Sequence, residues 1–472
     1  MNRKILDEVL NAIENSVDYK DGKVTIKNEK VLRTKAYRLA EISALDGGEK
    51  ASWARFITRL AAAALGTYPA SINELYMARG EEKVPTTFTV PAINLRVLAF
   101  DCARVIFRVA GKINASAIIF EIARSEMTYT DQRPAEFTTS ILAAAIAENY
   151  NGPVFIQGDH FQVSPKKYAA DPVAELEALR ALIREAVMGG YFNIDIDTST
   201  LVDLSKQSIP EQQEVNTSLS AELTAYVRSM EPTGVSISVG GEIGEVGGHN
   251  STEEELRAYL DGFKEKLKKY GKVTGLSKIS IQTGTSHGGV VLPDGSIAQV
   301  SVDFDTMLKL SRISRKDYGL GGAVQHGAST LPEDGFGKFV EAEACEIHLA
   351  TNFGNIFFDL IPSDLKKQMY AYLDEKNAAD RKPGMTDEQF YYKTRKNAIG
   401  PFKKQSWQLP AATKEKIFKA WEQQFTKLFD LLALKNSRSY VKETIKHPVV
   451  QPKLSDFLGE AAGDDNVSDL AD

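Results

Sequence analysis

Pro153-Val154-Phe155-Ile156-Gln157-Gly158-Asp159-His160, then Pro172 to Met188, then Phe192-Asn193-Ile194-Asp195-Ile196-Asp197, form one unit of a repeating pattern. The first piece is an apolar, β-rich run that ends in a glycine and two polar residues. The second carries apolar residues at helical spacing, and the third is again a short β-rich run. Near-continuous apolar strands joined by a helix point to a parallel sheet covered by helices.

The same pattern extends outward from about residue 85 to residue 352. The expected strands are Thr86–Asn94, Ala115–Glu121, Pro153–Asp159, Phe192–Asp197, Gly234–Glu242, Lys278–Thr285, Gly322–His326 and Glu346–Thr351. Further helical segments, such as Thr217–Met230 and Thr252–Tyr270, lie between them. Eight such units predict an α/β fold, a (β/α)8 TIM barrel with helical N- and C-terminal extensions. The expected divisions are a helical extension over 1–84, the barrel over 85–361, a second helical extension over 362–454 and an acidic, disordered tail over 455–472.

Composition narrows the function classes. The chain has 472 residues, of which 43% are hydrophobic and 25% charged, as in an ordinary soluble globular protein. A formal charge of -6 argues against a nucleic-acid partner. Cys102 and Cys345 sit in apolar sequence, which suits a reduced, cytoplasmic location rather than a disulfide framework. No apolar run is long enough to span a bilayer, and the start turns acidic too early for a signal peptide, so no membrane association is expected.

The chemistry sits at predicted strand ends. Asp159-His160, Glu242, His287, His326 and Thr351 fall at or just after the C-terminal ends of strands three, five, six, seven and eight. Barrel active sites are built at that face. A lone histidine there reads as a hydrogen-bonded lining residue, whereas His160, His287 and His326 together read as a three-histidine metal site with an open fourth position. Glu242 is either an alternate ligand or a carboxylate that orients one. Asp159, beside a proposed ligand, can move a proton at a substrate hydroxyl. Gly288-Gly289, Gly327-Ala328-Ser329 and Thr351 offer backbone amides and hydroxyls to a phosphate.

These residues, in this order, resemble the class II, zinc-dependent ketose-bisphosphate aldolases over about residues 85–352. The likeness is carried by Val90-Pro91-Ala92-Ile93-Asn94, Gly158-Asp159-His160, Glu242 to Gly248, Gly284-Thr285-Ser286-His287-Gly288, His326-Gly327-Ala328-Ser329 and Ala350-Thr351. It implies His160, His287 and His326 as ligands of Zn2+ or another divalent metal, with Glu242 at the alternate metal position. It implies Asp159 as the acid/base at the C4 hydroxyl. Gly288, Gly327, Ser329 and Thr351 become the phosphate site, with Asn94, Ala328, His348 and Ala350 completing the substrate-binding set. Some family members also hold a monovalent cation, K+ or Na+, and a homodimer or homotetramer is expected by the same likeness. The metal would act as a Lewis acid on the ketose, with no Schiff-base lysine.

The sequence also departs from the family. His348 stands where the family commonly has asparagine. His249-Asn250 follow the strand-five glycines where a glutamate is usual, which makes His249 a candidate base at the triose carbon. Phe120 to Ser125 and Tyr129 to Phe137 look closer to the companion subunit of tagatose-bisphosphate aldolase. Arg124 is a candidate for the distal phosphate on charge alone. The resemblance thus implies a metal-dependent aldolase of carbohydrate metabolism, as in glycolysis and gluconeogenesis. Its first substrate would be fructose 1,6-bisphosphate, cleaved to dihydroxyacetone phosphate and an aldehyde such as glyceraldehyde 3-phosphate. A tagatose-bisphosphate or other sugar-phosphate aldolase or epimerase, or a non-catalytic companion subunit, are the alternatives.

Overall fold

The structure is a computed structural model that describes residues 3–244, 249–284, 301–328, 331–332, 335–446, 448–458 and 470. Its centre is a ring of eight parallel strands: β1 (Val90–Asn94), β2 (Ile119–Ala123), β3 (Gly152–Gln162), β4 (Asn193–Asp197), β5 (Ser238–Glu242), β6 (Lys278–Ile281), β7 (Ala323–Gln325) and β8 (Glu346–Leu349). Each strand pairs with the next in sequence, and β8 pairs back onto β1, which closes a (β/α)8 barrel. Helices follow the strands and cover the outside, as the sequence pattern predicts.

The decisive βαβ unit shows why the chain folds this way. Asp171 caps the helix Pro172–Gly189 by accepting a bond from the Ala174 amide (3.1 Å), with Pro172 pre-set at the first helical position. Gly190 ends the helix at φ 101, a conformation that favours glycine. Leu179, Leu182, Ile183, Ala186 and Val187 then recur at helical spacing and are buried. Some strands are shorter or shifted relative to expectation. β5 begins only at Ser238 because Gly234 (φ 79) still belongs to the preceding turn, and β2 runs Ile119–Ala123 rather than from Ala115.

The N-terminal region is not purely helical. Besides the helices Arg3–Ala12, Glu29–Leu45 and Gly48–Ala64, it holds a hairpin (Val17–Lys20 with Lys23–Ile26) and a strand, Thr67–Ala70. That strand pairs with residues 152–155 of β3, the stretch that extends below the pairing of β3 with β4. An otherwise open edge is thereby covered.

The C-terminal helix Ala411–Leu431 lays Ile417, Trp421, Phe425 and Leu428 against the barrel, and the Trp421 indole donates to the Phe353 carbonyl (3.1 Å). The start of the expected acidic tail is packed rather than loose. Phe457 is buried, and the Ser52 hydroxyl donates to its carbonyl (2.5 Å). Residues 459–469, 471 and 472 lie outside the described residues. Among the described residues, no helix is long and apolar enough to cross a membrane. Cys102 and Cys345 are both buried and unbridged.

One contact between the barrel and the C-terminal region makes stability depend on pH. Glu136, at the start of helix Pro134–Ala147, meets the Lys403 ammonium at 2.9 Å. Burial lifts the Glu136 carboxyl to about 7, and the attraction of Lys403 only partly opposes this. The folded state therefore holds the proton more tightly than the unfolded chain, whose carboxyl titrates near its ordinary value. The stability that Glu136 contributes is present in acid and lost as pH rises toward about 7. Relative to wild type, Glu136→Gln is expected to gain up to about 3 kcal/mol between pH 4.5 and pH 8, read from urea unfolding. A difference that stays constant across that range contradicts this assignment.

Candidate active site

Asp159 and His160 are neighbours on β3, and on a regular strand their side chains would point to opposite faces. They do not, because the strand bulges. Gly158 pairs with Ile194 and Phe161 with Ile196, so β3 spends one extra residue against β4. His160 takes the extra position at φ 39, in the left-handed region that non-glycine residues seldom occupy. Gly158 is required beside it, since a Cβ there would lie 2.3 Å from the Phe161 ring. The outcome is that both side chains reach His326, which follows β7. The Asp159 carboxylate is 3.9 Å from its Nδ1, and the His160 ring centroid is 4.2 Å away. Strain at one residue with a clear geometric result is a feature of functional sites.

His160, Glu242 and His326 each offer one ligand atom, all within 4.8 Å of one another. Glu242 ends β5 and its carboxylate is 3.5 Å from His326 Nε2, while the Ser280 hydroxyl of β6 lies 3.0 Å from the same nitrogen. Asp197, at the end of β4, takes His160 Nδ1 at 3.0 Å and is itself fixed by the Ser199 amide (3.0 Å) and hydroxyl (2.6 Å). A carboxylate on one imidazole nitrogen sets the tautomer and aims the other nitrogen, the arrangement that supports metal-ligating histidines. Two imidazoles and a carboxylate suit zinc and related divalent ions, so the residues present fit a metal. If His160 ligates through Nε2, Asp197→Asn should weaken divalent-metal affinity about 10–100-fold, measured by competition with a chelating dye. An unchanged affinity would remove Asp197 from that role.

Beneath this group the barrel interior is charged. Lys278, the first residue of β6, is buried and lies 2.8 Å from Gln157, 2.9 Å from Asp195 and 2.5 Å from Glu346. Gly240 makes room for it, since a Cβ there would meet Asp195 Oδ1 at 2.3 Å and Lys278 Cε at 2.8 Å. Glu346 also accepts from the Tyr76 hydroxyl. His348 of β8 sits between the two groups, 3.1 Å from Asp159 and 2.7 Å from Glu346.

Electrostatics follow from this crowding. Burial lowers the proton affinity of His160, but Asp159 and Asp197 outweigh it and raise its pKa to about 10. Burial, with Asp159 or Asp197 beside them, lifts the carboxyls of Glu121 and Glu242 to about 8 each. Burial raises Glu346 as well, yet Lys278 and His348 more than reverse it and hold that carboxyl at about 2. A cavity with this many carboxylates is one that a bound cation would neutralise.

The phosphate-binding candidates are partly visible. Thr351 opens the helix Thr351–Leu360 directly after β8, Ala350 stands at its cap, and Gly327 takes φ 72 after β7 with Ala328 buried beside it. A helix start there offers amides and a positive dipole end to an anion. His287, Gly288 and Ser329 lie outside the described residues. Asn94 is buried at the end of β1, where its amide donates to Glu126, which also pairs with Arg96 (2.6 Å).

Two other residues stand apart from the cluster. His249 is 54% exposed and faces Glu255 at 3.7 Å. Arg124 is buried, and its guanidinium is taken by Glu175 (2.6 Å) and the Gln162 carbonyl (2.8 Å), so it is not presented to a distal phosphate.

Comparison with known proteins supplies the family. The profile of the class-II fructose-bisphosphate aldolases matches residues 83–414. The chain belongs to that family. No curated protein sequence matches it. Among solved structures, this aldolase-family chain is similar to a probable tagatose 6 phosphate kinase from Sinorhizobium meliloti 1021, at 17% identity and TM-score 0.50, covering 78% of this chain and 97% of the other. It is also similar to fructose-bisphosphate aldolase (Fba) from Campylobacter jejuni, at 16% identity and TM-score 0.46, covering 79% and 96%. A third is the YdjI aldolase from Escherichia coli K12, at 12% identity and TM-score 0.44, covering 78% and 98%.

Sequence reasoning missed Glu121, Asp195, Asp197 and Glu346 as members of this region, and passed over Lys278. The signal was available. Charged residues are rarely buried unless paired, and each of these stands within or at the end of an otherwise apolar strand.

Proposed function

We propose that the protein is a metal-dependent aldolase that reversibly cleaves a ketose 1,6-bisphosphate, fructose 1,6-bisphosphate first, to dihydroxyacetone phosphate and an aldehyde such as glyceraldehyde 3-phosphate. The observation that carries the reading is the β3 bulge, which turns Asp159 and His160 toward His326 together while Asp197 fixes the His160 ring. In this reading His160, His326 and His287 hold a divalent ion, with Glu242 as the alternate donor. Such an ion supplies Lewis-acid polarisation of the ketose carbonyl.

The chain's own residues do the rest. Asp159 takes the proton from the C4 hydroxyl as the C3–C4 bond breaks and returns it in condensation. The Thr351 helix start and Gly327 orient the substrate through its phosphate, so that the reacting carbon stays fixed beside Asp159. Burial of Asp159, His160 and His348 keeps bulk water from competing for that proton.

The test is release of triose phosphate from fructose 1,6-bisphosphate and, in parallel, tagatose 1,6-bisphosphate. The expected result is release that stops on chelation and returns with zinc, fastest on the fructose sugar. Metal-loaded protein that cleaves neither sugar contradicts the reading.

A further inference from the structure

We propose that His348 is a positioning residue: it bridges Asp159 to the buried Glu346–Lys278 pair and so fixes the orientation of the Asp159 carboxylate. The inference rests on the reading of Asp159 as the acid/base given above.

The ring of His348 is held on three sides. Its Nδ1 lies 3.1 Å from Asp159 Oδ1 and 3.1 Å from Glu121 Oε2. Its Nε2 lies 2.7 Å from Glu346 Oε1 and 3.7 Å from Asp195 Oδ2. One face rests on His326, with ring centroids 3.8 Å apart and planes at 34°. Glu346 cannot drift, because Lys278 and the Tyr76 hydroxyl both engage it. Lys278 in turn is fixed by Gln157 and Asp195 from two further strands. Five strands thus converge through one imidazole on one oxygen of Asp159.

The physical consequence concerns where Asp159 points. A carboxylate at a barrel mouth can rotate about its terminal torsion, and a proton acceptor works only within hydrogen-bond reach of the hydroxyl it serves. An imidazole within ion-pair distance of Glu346 at Nε2 and of Asp159 at Nδ1 biases that torsion from the rigid barrel interior rather than from the loops. Asparagine at position 348 would place its amide where Nδ1 stands and nothing where Nε2 stands. It would keep the contact with Asp159 and lose the anchor to Glu346.

The experiment compares wild type with His348→Ala, His348→Asn, Asp159→Asn and the Asp159→Asn/His348→Ala double variant, each assayed on fructose 1,6-bisphosphate for kcat and KM with metal content measured alongside. His348→Ala is expected to lower kcat about 10–100-fold with KM within about twofold, the scale of a misplaced catalytic group. It should cost nothing further in the Asp159→Asn background, because its effect runs through Asp159. His348→Asn should recover part of the loss. Apart from turnover, metal-free protein labelled with 15N-histidine should show the His348 Nδ1 resonance move on Asp159→Asn.

Several results overturn the proposal. Additive losses in the double variant would make His348 act independently of Asp159. A raised KM with kcat kept would make it a substrate contact. Loss of bound metal in step with activity would make it a ligand, since Asp159, His326 and His348 also offer donor atoms within 4.8 Å. An unmoved His348 resonance would deny the contact itself. The two readings fail separately: full turnover in Asp159→Asn refutes the acid/base assignment, whereas full turnover in His348→Ala with Asp159→Asn inactive refutes only the positioning.

Discussion

Replacing Asp159 by asparagine is expected to lower kcat for ketose-bisphosphate cleavage by about 100- to 10,000-fold, the range general acid–base catalysis contributes. Asparagine keeps the shape of the side chain and its contact with His348, but cannot accept the C4 hydroxyl proton. KM should change little, because in the proposed reading the substrate's phosphate is held elsewhere, at the Thr351 helix start. Bound metal should be retained when the ion sits in the His160, Glu242 and His326 group rather than in the Asp159, His326 and His348 group, whose donor atoms also lie within 4.8 Å of one another. Steady-state kinetics with parallel metal analysis separates the cases. A kcat within a few-fold of wild type removes Asp159 as the acid/base, and loss of metal instead makes it a ligand.

The second large effect concerns folding. Lys278→Met is expected to destabilise the protein by about 3–5 kcal/mol, the range seen when one partner of a buried ionic group is removed. The Lys278 side chain is 1% exposed and faces the carboxylates of Asp195 and Glu346, whose side chains are 6% and 0% exposed. Methionine fills a similar volume, so the loss isolates charge rather than packing. Removing a carboxylate as well, in Lys278→Met/Glu346→Gln, should restore part of the stability, because less uncompensated charge is then left in the barrel. Urea unfolding of the three proteins measures this. A single-variant loss below about 1 kcal/mol would mean that the interior carboxylates are not held by Lys278.

The barrel was legible in the sequence because each strand is an apolar run with its own polar end, and each connection carries a helical repeat. The mouth was legible for the same reason: Asp159, His160, Glu242 and His326 are polar residues at strand ends, and closure brings such ends together. The interior ladder was not. Lys278 and Asp195 are 83 residues apart and Gln157 and Glu346 are 189 apart, and nothing local in the chain says that they meet. Their meeting depends on the stagger of the strands as the sheet closes. Asp197 was missed because it reads as the polar end of its strand, and its partnership with His160 needs the β3 bulge. That bulge has no clear sequence signature beyond Gly158. The strand Thr67–Ala70 was missed because it follows an alanine-rich helix and forms only where β3 offers an open edge.

The most direct measurement is X-ray diffraction from metal-soaked crystals, with anomalous data collected on both sides of the zinc edge. One strong anomalous peak is expected at the barrel mouth, about 2.0–2.1 Å from a nitrogen of His160 and one of His326, with Asp197 on the other nitrogen of His160. A peak elsewhere in the molecule, or none at the mouth with zinc in excess, would contradict this assignment.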